Sequence, residues 1–166
     1  MPGASSNGRL FWITAVVVIV LDIVTKHLAV AMLPLHIPHP VFGEYARLTL
    51  AYNQGAAFSM SLGRYSRILF GSFAAVAIVV LWWIHRGTGR GEALKSFALG
   101  LAWGGAAGNL LDRIRSPLGV VDFIDVGVGN IRFWTFNVAD SGVTIGACIL
   151  AWVLWQEERR RAPAGD

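Results

Sequence analysis

Long apolar runs separated by short polar segments dominate the chain. Four runs, near residues 10–33, 68–84, 93–111 and 136–155, approach the roughly 20 helical residues that cross about 30 Å of hydrocarbon. The first run is longer than the apolar part of a cleaved signal peptide and contains Asp22 and Lys26, so we interpret it as a retained span. The pattern predicts an all-α membrane protein, with four transmembrane helices in one polytopic domain over residues 1–166.

The segments that follow the first and third runs, residues 34–66 and 114–135, are the least lipid-like. Apolar and polar residues alternate over residues 47–52, which is typical of a strand with one buried face. Residues 120–124 and 131–134 are rich in β-branched and aromatic side chains and flank a turn region at 127–130. We therefore expect a small β-sheet cradle on the periplasmic surface of the membrane.

Composition and charge support a membrane protein and give a weaker indication of its orientation. Hydrophobic residues make up 55% of the chain and charged residues only 14%, whereas a soluble domain carries about a quarter. Mean hydropathy is +0.55. Basic residues are nearly balanced between the two sides, but Arg159, Arg160 and Arg161 form the densest cluster beside a span, which favours cytoplasmic termini. The basic residues form no patch interleaved with aromatics, so we expect no nucleic-acid partner.

Ionisable residues inside the spans need a physical reason, because each costs about 2.5–3.5 kcal/mol at the membrane centre. Asp22 and Lys26 are four residues apart on one helical face, where the simplest interpretation is a self-neutralising structural pair. In the third run, a stripe of glycines repeats every four residues and predicts close helix contact. Asp112 continues this stripe by one turn and should face the bundle, next to Asn109 and Arg113. The glycines are Gly100, Gly104 and Gly108.

Two further carboxylates are the candidates for chemistry. Asp122 lies in the second outer segment and Asp140 in the first turns of the fourth run, so neighbouring third and fourth helices would bring both to one depth. Close carboxylates share a proton, which suits one for polarising a carbonyl and the other for activating water. By spacing alone, Asp125 competes with Asp122 for this role, and both assignments stay open.

Other chemistries and functions fit the sequence less well. His36 and His39 lie among prolines without a helical Glu partner, and Cys148 has no evident base, so neither a zinc protease nor a cysteine hydrolase is indicated. A proton-coupled transporter would use acids spread through the membrane depth, but the cytoplasmic halves of the runs nearly lack them. A membrane scaffold, in which every acid is structural, stays open as an alternative.

Five ordered sequence blocks resemble those of lipoprotein signal peptidase (signal peptidase II), over roughly residues 10–155. The blocks are Asp22-Ile-Val-Thr-Lys26, Asn53-Gln-Gly-Ala-Ala-Phe-Ser59, Gly104-Gly-Ala-Ala-Gly-Asn-Leu-Leu-Asp-Arg113, Val120-Val-Asp-Phe-Ile124 and Phe136-Asn-Val-Ala-Asp-Ser141.

The resemblance implies an intramembrane aspartyl endopeptidase of the bacterial inner membrane that needs no metal or other cofactor. It would remove the signal peptide from diacylglyceryl-modified prolipoproteins, cutting before the lipidated cysteine at the periplasmic side. It implies Asp122, rather than Asp125, as the catalytic partner of Asp140. We expect membrane lipid as the surroundings and a monomer as the active form. Residues implied to bind substrate or support the dyad are Asp22, Lys26, Asn53, Gly55, Asn109, Asp112, Arg113, Asn137 and Ala139.

Overall fold

The computed structural model describes residues 6–55 and 65–161, and these form four long helices and four strands. The helices are α1 (Ser6–Met32), α2 (Ser66–Arg86), α3 (Ala93–Arg115) and α4 (Val138–Arg161). The strands are β1 (His39–Phe42), β2 (Ala46–Asn53), β3 (Val120–Val128) and β4 (Ile131–Arg132). The mostly helical fold and the strands in both outer segments are confirmed.

Three of the four helices, α1, α2 and α4, are long and apolar enough to cross a membrane. Helix α3 has 23 residues but contains four glycines and several polar side chains, and it does not meet the same criterion of composition. It also packs against α1, α2 and α4. Because its neighbours cover so much of its surface, α3 does not need an apolar exterior, and composition leaves the fourth predicted crossing unconfirmed.

The predicted glycine stripe of α3 is the contact surface for α1. A Cβ atom on Gly100 would lie 2.7 Å from the backbone oxygen of Phe11, and one on Gly104 would lie 2.7 Å from that of Ala15. The helix axes are therefore close enough that only glycine fits at these positions. Phe11 and Ala15 are fully buried in this contact, together with Leu99 of α3.

The four strands form one antiparallel sheet in the order β1-β2-β3-β4. Leu50 of β2 and Phe123 of β3 pack on Ala29, near the end of α1, in a small buried apolar cluster. Val138, at the start of α4, packs against the same cluster. The sheet is thereby fixed at the end of the bundle where α1 and α3 end and α4 begins.

Two helix boundaries differ from the predicted spans in ways that matter for the site. Helix α3 continues to Arg115 rather than ending near residue 111, so Asp112 and Arg113 lie on its last turns. The helix can continue because a buried lysine neutralises Asp112. Helix α4 begins at Val138 rather than 136, since the side chain of Asn137 accepts a hydrogen bond from the amide of Asp140 in the first turn.

Candidate active site

Asp122 and Asp140 are held on either side of a single residue, Asn137. The side-chain Nδ2 of Asn137 donates to Asp122 Oδ1 at 2.7 Å, and its backbone N donates to Asp140 Oδ2 at 3.2 Å. Asn137 is fully buried, whereas Asp122 is 3% exposed and Asp140 is half-buried. The predicted pair of carboxylates is thus brought together by the residue that precedes α4.

Asn137 and Asp140 form a reciprocal cap at the start of α4. Asn137 Oδ1 accepts a hydrogen bond from the backbone N of Asp140 at 2.9 Å, and the Asp140 carboxylate accepts one from the backbone N of Asn137. This is the geometry of a capping box, in which two otherwise unpaired amides at a helix start are satisfied together. Folding of the first helical turn therefore fixes the orientation of the Asp140 carboxylate.

Two more asparagines complete the hydrogen bonds of the pair. Asn53, the last residue of β2, donates from Nδ2 to Asp122 Oδ2 at 3.1 Å. Asn109 of α3 donates from Nδ2 to Asp140 Oδ1 at 2.7 Å. Each carboxylate oxygen thus accepts a hydrogen bond from a neutral amide. The site combines groups from β2, α3, β3 and α4.

Gly55 supports the position of Asn53. The backbone N of Gly55 donates to Asn53 Oδ1 at 2.9 Å, and its φ of +122° strongly favours glycine. A Cβ atom there would lie 2.1 Å from the Phe70 ring of α2, so any side chain at position 55 would displace either this backbone segment or the ring. Residues 56–59, the remainder of the second sequence block, lie outside the described residues.

The environment of Asp122 raises the pKa of its carboxyl to about 7. Burial makes the largest contribution, because the charged form loses its hydration, and the nearby Asp140 adds like-charge repulsion. The hydrogen bonds from Asn53 and Asn137 oppose the shift but do not cancel it. Asp122 can consequently carry a proton near neutral pH.

A buried lysine cluster, Asp22, Lys26 and Asp112, lies directly against the asparagines. Lys26 Nζ is 2.7 Å from Asp22 Oδ2 and 2.8 Å from Asp112 Oδ2, and it donates to Asn109 Oδ1 at 2.9 Å. The predicted pairing of Asp22 with Lys26 is confirmed, and Asp112 faces the bundle as predicted. Lys26 therefore joins α1 to α3 and fixes the orientation of the Asn109 amide that reaches Asp140.

Two backbone amides connect this lysine cluster to the carboxylate pair. The N–H of Ala139 donates to Asp22 Oδ1 at 2.9 Å, and the N–H of Val121 donates to Asp112 Oδ2 at 3.3 Å. Ala139 is fully buried, and a Cβ atom on Gly105 of α3 would lie 2.2 Å from its oxygen. Val121 was not identified from the sequence, because its contribution comes from the backbone and leaves no side-chain signal.

Arg113 occupies the rim of the site. Its Nη1 donates to the backbone oxygen of Asn109 at 3.1 Å, while Nε is buried without a hydrogen-bond partner among residues 6–55 and 65–161. Asp112, its neighbour in sequence, pairs with Lys26 instead.

Asp125 is separate from the carboxylate pair. Its carboxylate is 2.7 Å from Arg132 Nη2 and also accepts hydrogen bonds from Arg132 Nε at 2.8 Å and from Thr49 Oγ1 at 3.1 Å. These contacts tie β2 and β3 to β4. Of the two acids that the spacing left in competition, the structure joins Asp122 to Asp140 and gives Asp125 a cationic partner.

A mainly apolar cavity of about 290 Å³ opens beside Asp140. Its lining residues are Phe133, Phe136, Asp140, Ser141, Thr144 and Ile145. In the described part of the chain, no group of three or more His, Cys, Asp or Glu residues is placed to hold a metal ion. The chemistry that the site can offer from its own residues is proton transfer between two carboxylates held by amides.

The comparisons with known proteins all indicate the same family. A sequence profile described as signal peptidase (SPase) II matches residues 14–156. The lipoprotein signal peptidase of Pseudomonas putida is 41% identical over 171 aligned residues, covering 99% of this chain and 98% of that protein. That of Halothermothrix orenii is 38% identical and covers 90% of this chain and 98% of its own length.

The fold is also similar to that of a bacterial membrane enzyme determined by the in meso method at 2.3 Å resolution. The TM-score is 0.80 at 25% sequence identity, with 93% of this chain and 92% of that chain covered. Since the family profile spans most of the sequence and the relatives align along nearly its whole length, this chain belongs to the signal peptidase II family.

Proposed function

We propose that this protein is an aspartyl endopeptidase that removes the signal peptide from diacylglyceryl-modified prolipoproteins, cutting just before the lipidated cysteine. Membership of the signal peptidase II family supports the substrate class. The observation that carries the catalytic assignment is the bridge through Asn137, which holds the Asp122 and Asp140 carboxylates with neutral donors. Neutral donors orient the acids and leave them free to exchange protons.

In the first step, water attacks the scissile carbonyl between the two acids. Asp140 takes one proton from the water, and its position in the first turn of α4 favours a negative charge because the helix dipole is positive there. Asp122, whose pKa is raised to about 7, donates its proton to the carbonyl oxygen. A neutral tetrahedral diol results.

In the second step, the diol collapses and the peptide bond breaks. Asp140 gives its acquired proton to the leaving nitrogen, and Asp122 takes a proton back from a diol hydroxyl. The products are a new carboxylic end on the signal peptide and a free amine on the lipidated cysteine. Both acids return to their starting protonation states, so no cofactor is needed to balance the reaction.

The remaining groups of the site would bind substrate or hold the acids in place. Asn53 and Gly55 end β2 beside Asp122, where they would meet the substrate backbone. The buried Nε of Arg113, which has no partner within the described part of the chain, suits an ester or phosphate oxygen of the lipid. Apolar parts of the substrate would enter the cavity beside Asp140. Asp22, Lys26, Asn109, Asp112 and Ala139 would position the dyad.

We further propose that all four helices cross the bacterial inner membrane, with both termini in the cytoplasm and the dyad at the periplasmic surface. Helix α3 has a length similar to that of its neighbours and is surrounded by them, which supports a fourth crossing despite its composition. Four crossings return the chain to its starting side. We also propose a monomer as the active form.

The decisive experiment compares isosteric substitutions at three aspartates in the purified protein. Asp122→Asn and Asp140→Asn should each abolish cleavage of a lipidated prolipoprotein, because either change removes a proton donor or acceptor. Asp125→Asn is the matched control on the same strand, and it should keep substantial activity because Asp125 pairs with Arg132. Normal turnover by either dyad variant, with intact folding, would overturn the catalytic assignment.

A second comparison tests the substrate. Lipidated and unlipidated precursors of identical sequence should differ strongly in cleavage rate, since each buried methylene of an acyl chain contributes about 0.8 kcal/mol. Arg113→Ala should slow cleavage of the lipidated precursor. Equal rates for the two precursors would contradict a role for the lipid and would favour an aspartyl protease of broader specificity.

A further inference from the structure

A second cavity lies at the end of the helices opposite to the dyad. It has a volume of about 630 Å³ and lies where α2 ends and α3 begins. Its lining residues are Trp82, Trp83, Ile84, Arg86, Gly87, Thr88 and Lys95. None of these residues takes part in the proposed cleavage reaction.

One wall of this cavity is apolar and the rim is cationic. Trp83 is 72% exposed and Ile84 is 38% exposed, and both lie in the last turns of an apolar helix, at the depth where membrane proteins place tryptophan. Arg86 lies two residues beyond Ile84, in the final turn. Along the helix axis, apolar side chains are thus followed by a cationic one. This order matches a lipid whose acyl chains contact the apolar side chains and whose headgroup contacts the guanidinium.

Arg86 supplies a cation that no carboxylate of the described residues neutralises. Its guanidinium lies 5.1 Å from the centre of the Trp82 ring, and it has no carboxylate partner among residues 6–55 and 65–161. Lys95 also lines the cavity, but its Nζ lies 2.9 Å from Glu92 and 3.3 Å from Glu157. The charge available to a ligand is therefore that of Arg86.

We propose that this cavity binds one glycerophospholipid with an anionic headgroup. The phosphate lies against Arg86, and the acyl chains lie along Trp83 and Ile84. Basic pockets between helices at a membrane surface are suited to such headgroups. Arg90, Arg159 and Arg160 lie at the same end of the molecule and outnumber Glu158, the described acid there that does not pair with Lys95, so the net potential favours an anionic lipid over a zwitterionic one.

Native mass spectrometry of the full chain in detergent tests this proposal. Dioleoyl phosphatidylglycerol should bind more tightly than dioleoyl phosphatidylcholine, which has the same acyl chains. Arg86→Gln should weaken phosphatidylglycerol binding about five-fold and remove most of the preference. Trp83→Ala should weaken both lipids alike, because it removes only the apolar wall.

Arg159→Gln is the matched control. Arg159 also lies over a tryptophan ring, 4.7 Å from the centre of Trp155, but it does not line the cavity. This variant should bind phosphatidylglycerol nearly as the parent does. Equal losses in the two arginine variants would show a diffuse charge effect and overturn the site, as would equal binding of the two lipids by the parent. Displacement of the lipid by millimolar inorganic phosphate would also contradict the proposal.

Discussion

The carboxylate dyad and the lysine cluster are adjacent, yet their acids are satisfied in opposite ways. Asp122 and Asp140 accept hydrogen bonds from the amides of Asn53, Asn109 and Asn137. In the lysine cluster, Asp22 and Asp112 share the charge of Lys26. The acids of the dyad have neutral donors, whereas those of the lysine cluster share a cation in addition to one backbone amide each.

The difference shows that the groups that orient a carboxylate need not be the groups that set its charge. A lysine beside a buried carboxylate favours the ionised form, so the acids of the lysine cluster are suited to structure. At Asp122, the two amide hydrogen bonds lower the pKa, but burial and the neighbouring Asp140 raise it by more, so the carboxyl can hold a proton. The lysine cluster supports the dyad through Asn109 and Val121, and the charge of Lys26 lowers the pKa of Asp122 by less than burial raises it.

The largest effect should come from removing the shared cation. Lys26→Met leaves two carboxylates in the bundle without a counter-charge, which costs about 3–5 kcal/mol for a buried ion pair. Thermal unfolding in detergent would show a lowered midpoint. Lys95→Met is the matched control, because Lys95 also lies between two carboxylates but is more exposed, and it should cost about 1 kcal/mol or less. Equal losses would mean that burial does not distinguish the clusters.

The next effect concerns pH and stability. Asp122 has a pKa near 7 when folded and an ordinary value near 3.8 when unfolded, so the native state binds the extra proton between these values. Stability from this group is therefore present at pH 4 and is lost as pH rises to 7. Asp122→Asn cannot ionise, and its unfolding midpoint should exceed that of the parent at pH 8 by more than at pH 4. An equal difference at both pH values would contradict the raised pKa.

A smaller effect should separate the two roles of Asn137. Asn137→Ser keeps a helix-capping oxygen but cannot reach Asp122, whereas Asn137→Ala loses both functions. Both variants should lose about 10–100-fold in cleavage rate, the value of a hydrogen bond to a charged group. Only the alanine variant should also lose about 1 kcal/mol of stability. Full activity in the serine variant would show that the bridge to Asp122 is dispensable.

No effect is expected from chelators. The oxygens of Asp122 and Asp140 accept amide hydrogen bonds, and Lys26 contacts both Asp22 and Asp112. Cleavage by the purified protein should be unchanged in excess EDTA. Loss of activity that one added divalent ion restores would replace the amide-held dyad with a metal-bound site.

The sequence predicted the helix contacts better than the partners of individual side chains. The four-residue spacing of Gly100, Gly104 and Gly108 correctly indicated one contact face, and Asp112 continues it toward Lys26. That partner could not be read from the sequence, because positions 26 and 112 are 86 residues apart and the pattern carries no signal of contact over such a distance.

The choice between Asp122 and Asp125 shows a second limit. Residues three apart in a strand lie on opposite faces, so only one of these acids can face Asp140. The pattern alone does not say which face meets α4, and only the family resemblance favoured Asp122. In the folded chain, Asn53 and Asn137 lie on the Asp122 side and Arg132 lies with Asp125.

The spacing of Asp22 and Lys26 has a consequence for how the protein is made. The first helix leaves the ribosome before α3 and α4 exist, and its two charged residues can already neutralise each other one turn apart. Insertion of this helix therefore does not have to wait for a partner from a later segment. Asp112 and the amide of Ala139 join the pair afterwards, so we expect assembly of the catalytic end to follow the order of synthesis.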